Sequence, residues 1–268
     1  MATIAAPGQI DLPAVRAELP ALAHSIYLNT GGLGPAPRAA TTEAVRLVQL
    51  IGEYGNDTPS VQEELNAGAA RARAALGRMF GVPAEQIALI RAVSEGISAV
   101  GHGLDWHEGD EVVITDQEHA AGLLPWLSLR DRCGVTLRRL PVHDASHRPH
   151  TADEMLGRLD DLLSSHTRIV ALSHVTTETG VRLPAGEVCA LVHRRCPDAA
   201  VGFDGAQAAG QLPIDFGEIG CDFYTATGYK WLLGHRGTSF LYIRPEWIGR
   251  LEPSWSGPGP PFGWGRIP

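Results

Sequence analysis

Short apolar runs alternate with helical segments from residue 87 to residue 243, and this alternation restricts the fold more than any other feature of the chain. Runs of strand length occupy 87–91, 111–115, 135–140, 168–173, 200–204, 223–225 and 239–243. Between them, 94–103, 120–133, 151–163 and 184–196 carry helical patterning, the third opened by a Thr-x-x-Glu capping box. Parallel strands need crossovers of this length, so the pattern predicts an α/β unit of three layers, α/β/α, around a mostly parallel sheet. Ligands of such sheets sit beyond the carboxyl ends of the strands. Ahead of this region, the sequence predicts a helix over 12–23, a short strand from Ile26 running into a Gly/Pro loop, and helices over 38–53 and 62–80.

Composition narrows the partners. With 22 basic and 30 acidic residues the net charge is −8, and no basic run exceeds Arg138-Arg139 or Arg194-Arg195, which argues against nucleic acid and anionic membranes. The N-terminus has neither a basic start nor a long apolar run, so a signal peptide is not expected and the cytoplasm is the expected compartment. Cys133, Cys189, Cys196 and Cys221 form no CxxC pair and read as reduced thiols, with no metal site implied.

Polar residues gather where the strands end. Asp204 closes an apolar strand and can hold a protonated ring nitrogen; the alternative is an N-cap for a following helix. Lys230 follows a Gly turn between Tyr229 and Trp231. Apolar surroundings lower a lysine's pKa, as imine formation with an aldehyde requires; the alternative is a solvated loop lysine. Thr227, three residues earlier, can offer a hydroxyl to a phosphate. His119, in Asp116-Gln117-Glu118-His119, can stack on a planar ring or shuttle a proton, or be a surface histidine. Ser94, at a strand-to-helix junction, suits a phosphate, or is a plain helix cap.

Together these segments resemble the class V aminotransferase family of fold-type I pyridoxal-5′-phosphate (PLP) enzymes, which includes cysteine desulfurases, selenocysteine lyases, cystine C–S lyases and isopenicillin N epimerase-like proteins. The most specific stretch is DGAQAAGQLPIDFGEIGCDFYTATGYKWLLGHRGTSFLYI, where Asp204 and Lys230 stand 26 positions apart as in the family. The resemblance implies that Lys230 holds PLP as a Schiff base and later moves a proton. It implies that Asp204 holds the pyridine nitrogen, Gln207 the phenolic oxygen, and His119 the ring face. Val93 and Ser94, aided by Thr227 and Tyr229, would grip the phosphate. Thr177 stands where many relatives have an asparagine. By analogy with the C–S lyase and epimerase-like branches, Asn29, Thr30 and Gly31 of YLNTGGLGPAP would lie near the substrate carboxylate.

The resemblance also implies a homodimer acting on an amino acid, with cysteine desulfurase-like or C–S lyase chemistry first, and transamination or epimerisation second. It divides the chain into an arm (1–25), a PLP-binding large domain (26–250) and a tail (251–268) standing where relatives begin a C-terminal small domain. In relatives that domain supplies an arginine for the substrate carboxylate and, in desulfurases, a nucleophilic cysteine. Arg266 is a poor substitute on a Gly/Pro-rich tail. An inactive PLP-binding remnant is therefore the non-enzymatic alternative.

Overall fold

The structure, a computed structural model, describes residues 10–254. The arm before residue 10 and the tail beyond Ser254, Arg266 included, lie outside the described residues. Among the described residues seven strands form one sheet: β1 (Ile87–Ile90), β2 (Glu111–Thr115), β3 (Thr136–Leu140), β4 (Thr167–Ser173), β5 (Ala200–Asp204), β6 (Phe223–Thr227) and β7 (Ser239–Ile243). Their order across the sheet is β1-β7-β6-β5-β4-β2-β3. Strands β3, β2, β4, β5 and β6 are parallel, and β7 alone runs against its neighbours β6 and β1. The mostly parallel three-layer α/β/α architecture is therefore present.

The central strands read as continuous apolar runs because both faces are covered. Along β2, Val113 enters one core, while Val112 and Ile114 enter the other. The first core packs Phe80 at the end of α3 (Pro59–Phe80) with Met155 and Leu159 of α6 (Ala152–Leu162) and Val188 and Val192 of α7 (Ala185–Arg195). The second packs Val100 of α4 (Val93–Gly103) with Trp126 and Leu129 of α5 (Ala120–Cys133). The capping box of α6 forms as predicted: the Thr151 hydroxyl accepts from Glu154 N–H, and the Glu154 carboxylate accepts from Thr151 N–H.

Two expectations in the leading segment fail. Residues 26–30 make no strand: Ile26 and Leu28 are each 89% exposed and pair with no sheet edge. The helix over 12–23 is instead α1 (Leu12–Ala17) and a separate 3-10 turn, Pro20–Ala23. Pro20 cannot donate the N–H that would carry the helix through. The helix α2 (Arg38–Tyr54) forms nearly as predicted, yet has no buried residue.

Candidate active site

The carboxyl ends of β2, β4, β5 and β6 converge on a small cavity of about 60 Å³. It is lined by Ala92, Val93, Ser94, His119, Ala121, Thr177, Asp204, Ala206, Thr227, Tyr229 and Lys230. It opens on a vestibule of about 650 Å³ where His119, Thr177, Tyr229 and Lys230 recur and Gly31, Gly32, Leu33, Arg91, Arg236 and Gly237 join them. Eight of the twelve residues singled out in the sequence thus line the small cavity: Val93, Ser94, His119, Thr177, Asp204, Thr227, Tyr229 and Lys230.

Asp204 ends β5 beside Ser173 of β4 and Thr225 of β6. It is buried, and its Oδ1 accepts from Ala206 N–H at 2.8 Å, closing a turn rather than capping a long helix. Burial is the main reason its carboxyl pKa rises to about 6; the charge of Glu118 adds to the rise, while the Ala206 N–H and Lys230 oppose it. Lys230 is half-buried, and loss of hydration lowers its pKa against the smaller opposing pull of Asp204.

The N-terminus of α4 faces the same cavity. Its N-cap is Ala92, with no side-chain cap, so Ser94 is not the cap that its position suggested. The first N–H groups of a helix have no intrahelical acceptor, which leaves those of Val93 and Ser94 for a ligand. Thr227 ends β6, and its Oγ1 is buried with no hydrogen-bond partner among the described residues. An orphaned hydroxyl and an uncapped helix start on one wall fit an anionic group such as a phosphate. A buried acid and a desolvated amine on the other side fit a ring nitrogen and an aldehyde. The residues present therefore fit PLP.

His119 caps α5, its Nδ1 accepting from Ala121 N–H at 3.1 Å, and is exposed at the cavity. Gln207 does not line either space. Its Oε1 accepts from Trp231 Nε1–H at 2.8 Å and its Nε2 donates to the Gly31 carbonyl at 3.0 Å, so it ties the Gly-rich loop to the turn that carries Lys230. Asn29 and Thr30 also stand outside both linings; Gly31 reaches the vestibule. Gly34 N–H donates to the Tyr229 carbonyl at 2.8 Å, and a Cβ at Gly34 would collide with the Lys230 carbonyl.

Sequence reasoning missed three residues of this region. Glu118 stands next to His119 and binds the ends of two strands. Arg91 and Arg236 reach the vestibule from separate turns. Among the described residues no group of three or more His, Cys, Asp or Glu could hold a metal, and no helix is long and apolar enough to cross a membrane.

A profile of the family described as aminotransferase class-V matches residues 26–260. A probable cysteine desulfurase of Mycolicibacterium paratuberculosis is 31% identical over 93% of this chain and 36% of its own length. The isopenicillin N epimerase of Streptomyces clavuligerus is 32% identical over 88% of this chain and 60% of its own. Among solved structures, the cystine C–S lyase C-DES in complex with its product cysteine persulfide superposes with a TM-score of 0.83 at 33% identity, over 89% of this chain and 62% of that one. A lysine-to-alanine mutant of C-DES, with glycine covalently linked to its PLP cofactor, gives 0.84 at 34% identity, over 90% of this chain and 62% of that one. The chain spans less than two thirds of the length of these relatives. The chain belongs to the class V aminotransferase family, a family of PLP-dependent enzymes.

Proposed function

We propose that residues 26–250 bind PLP through Lys230 and act on a cysteine-like amino acid, breaking its C–S bond. The observation that carries this reading is the meeting of Lys230, Asp204, Thr227 and the uncapped start of α4 in one cavity. When bound, PLP supplies a carbonyl that condenses with amines and a ring that accepts the electron pair left at Cα.

The chain's own residues supply the rest. Val93 and Ser94 N–H groups, the Ser94 and Thr227 hydroxyls and the Tyr229 turn hold the phosphate. Asp204 Oδ2 holds the ring nitrogen, since Oδ1 is committed to Ala206. His119 would lie against the ring, and Thr177 would face it from the loop after β4. Gln207 keeps one N–H of Nε2 free for the phenolic oxygen while holding Gly31 and Trp231 in place. Lys230 Nζ attaches the cofactor and afterwards takes the Cα proton; its lowered pKa raises the fraction of neutral amine available for both tasks. Asn29, Thr30 and Gly31 position the substrate carboxylate through the loop.

The vestibule favours an anionic substrate. Lys230 and Arg236 line it, with Arg91 beside them in a salt bridge to Glu95, and no carboxylate lines it, although acids outnumber bases in the chain. A cysteine carrying the departing sulfur is not found there. Among the described residues Cys189 and Cys221 are buried, burial pushing the Cys189 thiol up to about 12, and none of the four cysteines lines the cavity or the vestibule.

A homodimer in the cytoplasm completes the reading. Its support is the exposed apolar set Ile26, Leu28, Val45, Val48 and Tyr54 around the entry loop and α2. The test is product analysis of the PLP-loaded chain with cystine or cysteine. Pyruvate, ammonia and a sulfur product support C–S lysis. A keto acid formed only with an amino acceptor, or an inverted stereocentre, selects transamination or epimerisation instead.

A further inference from the structure

Glu118 makes four hydrogen bonds, every one accepted by its carboxylate. Oε1 accepts from Thr115 N–H at 3.2 Å, Thr115 Oγ1–H at 2.6 Å and Ser173 N–H at 2.9 Å. Oε2 accepts from Ser173 Oγ–H at 2.6 Å. These donors end β2 and β4, so Glu118 bolts together two strand ends that β-sheet pairing leaves open beyond Val113 and Val170. All four are neutral. Its negative charge is thus held in place and not cancelled by these partners.

That charge lies close to Asp204. A Cβ added to Gly122 would stand 3.2 Å from Glu118 Oε2 and 3.6 Å from Asp204 Oδ2, so both carboxylates point at one spot over α5. Both line a second cavity, of about 30 Å³, whose other walls include Ile97, Trp126 and Phe203. An apolar setting weakens screening and strengthens the interaction of two like charges.

We infer that Glu118 is a positioning residue: seated by these donors beside Asp204, its fixed negative charge adds to that of Asp204 and makes the nitrogen site favour a protonated, electron-withdrawing ring. This rests on the cofactor reading above and assigns its electrostatic control to a residue that does not touch the cavity around Lys230. The other titratable groups facing Asp204 are Lys230 after β6, His119 from the turn before α5, and Tyr224 within β6, with His174 behind Tyr224. Only Glu118 combines a negative charge with a rigid seat.

The test is Glu118→Gln. The amide is isosteric, can still accept at Oε1, and can donate to Ser173 Oγ after that hydroxyl turns. The titration midpoint of the Asp204 carboxyl is read by carbon NMR in the folded, cofactor-free chain. A downward shift in E118Q is the expected result, and an unchanged midpoint in a folded E118Q overturns the inference. Should E118Q not fold, Glu118→Asp draws the charge back by one methylene: a partial downward shift of the Asp204 midpoint supports the inference, and an unchanged midpoint in a folded E118D overturns it. The readout needs no PLP. A protein that shows the shift but takes up no PLP therefore refutes the cofactor reading and leaves the Glu118–Asp204 coupling intact.

Discussion

At the scale of single residues, the site places an acid and an amine where neither is at ease in its charged form. Burial raises Asp204 and lowers Lys230. The Asp204 carboxyl goes from 3.8 to about 6, which corresponds to about 3 kcal/mol. Because the folded pKa lies above the unfolded one, Asp204 favours the fold below about pH 4 and this advantage is lost as pH rises through 6. Asp204→Asn keeps an acceptor for Ala206 N–H and removes the charge. In the cofactor-free chain it is expected to stabilise the fold by up to about 3 kcal/mol at pH 8, with the gain vanishing near pH 4. Urea unfolding of both proteins at the two pH values measures this. His174, lowered to about 4 chiefly by burial, shifts stability the opposite way, but equally in both proteins. Asp204, Lys230, His119 and Thr227 were legible in the sequence because each is a polar residue closing an apolar strand or following it. Glu118 was not, because its meaning comes from Ser173, 55 positions away. Gln207 was legible as polar, but its bonds to Gly31 and Trp231 were not.

At the scale of elements, the strands and helices from 87 to 243 follow the sequence closely, since burial on both faces imposes the apolar runs. The leading segment was less legible. Ile26–Leu28 has strand-like composition, yet a strand also needs a partner edge, and apolar periodicity does not report one. The Gly-rich loop shows what local sequence does specify. Gly34 leaves room for the Lys230 carbonyl, and Gly34→Ala is expected to cost about 1–3 kcal/mol and to weaken PLP retention by displacing the turn. Thermal unfolding and cofactor retention after gel filtration check the two effects. By contrast, Thr151→Ala removes half of the α6 capping box far from the cavity. It is expected to cost about 1 kcal/mol with PLP retention unchanged.

For the whole molecule, the α/β/α layers put the cofactor wall, the Lys230 turn and the vestibule at one end of the sheet. Arg236 sits there without an acidic partner among the vestibule's lining residues. Replacing Arg236 with Gln is expected to raise KM for a carboxylate substrate roughly tenfold, equivalent to about 1.5 kcal/mol, with kcat little changed. A fall in kcat at constant KM would place Arg236 in the chemistry rather than in substrate capture. Steady-state kinetics of the PLP-loaded protein separates the two. Binding of PLP by Lys230 in this cavity is tested by the absorption spectrum of protein incubated with PLP and freed of unbound cofactor. A visible band is expected to travel with the wild-type chain and to be absent from Lys230→Ala. A wild-type chain with no band, or a Lys230→Ala chain with the same band, would contradict it.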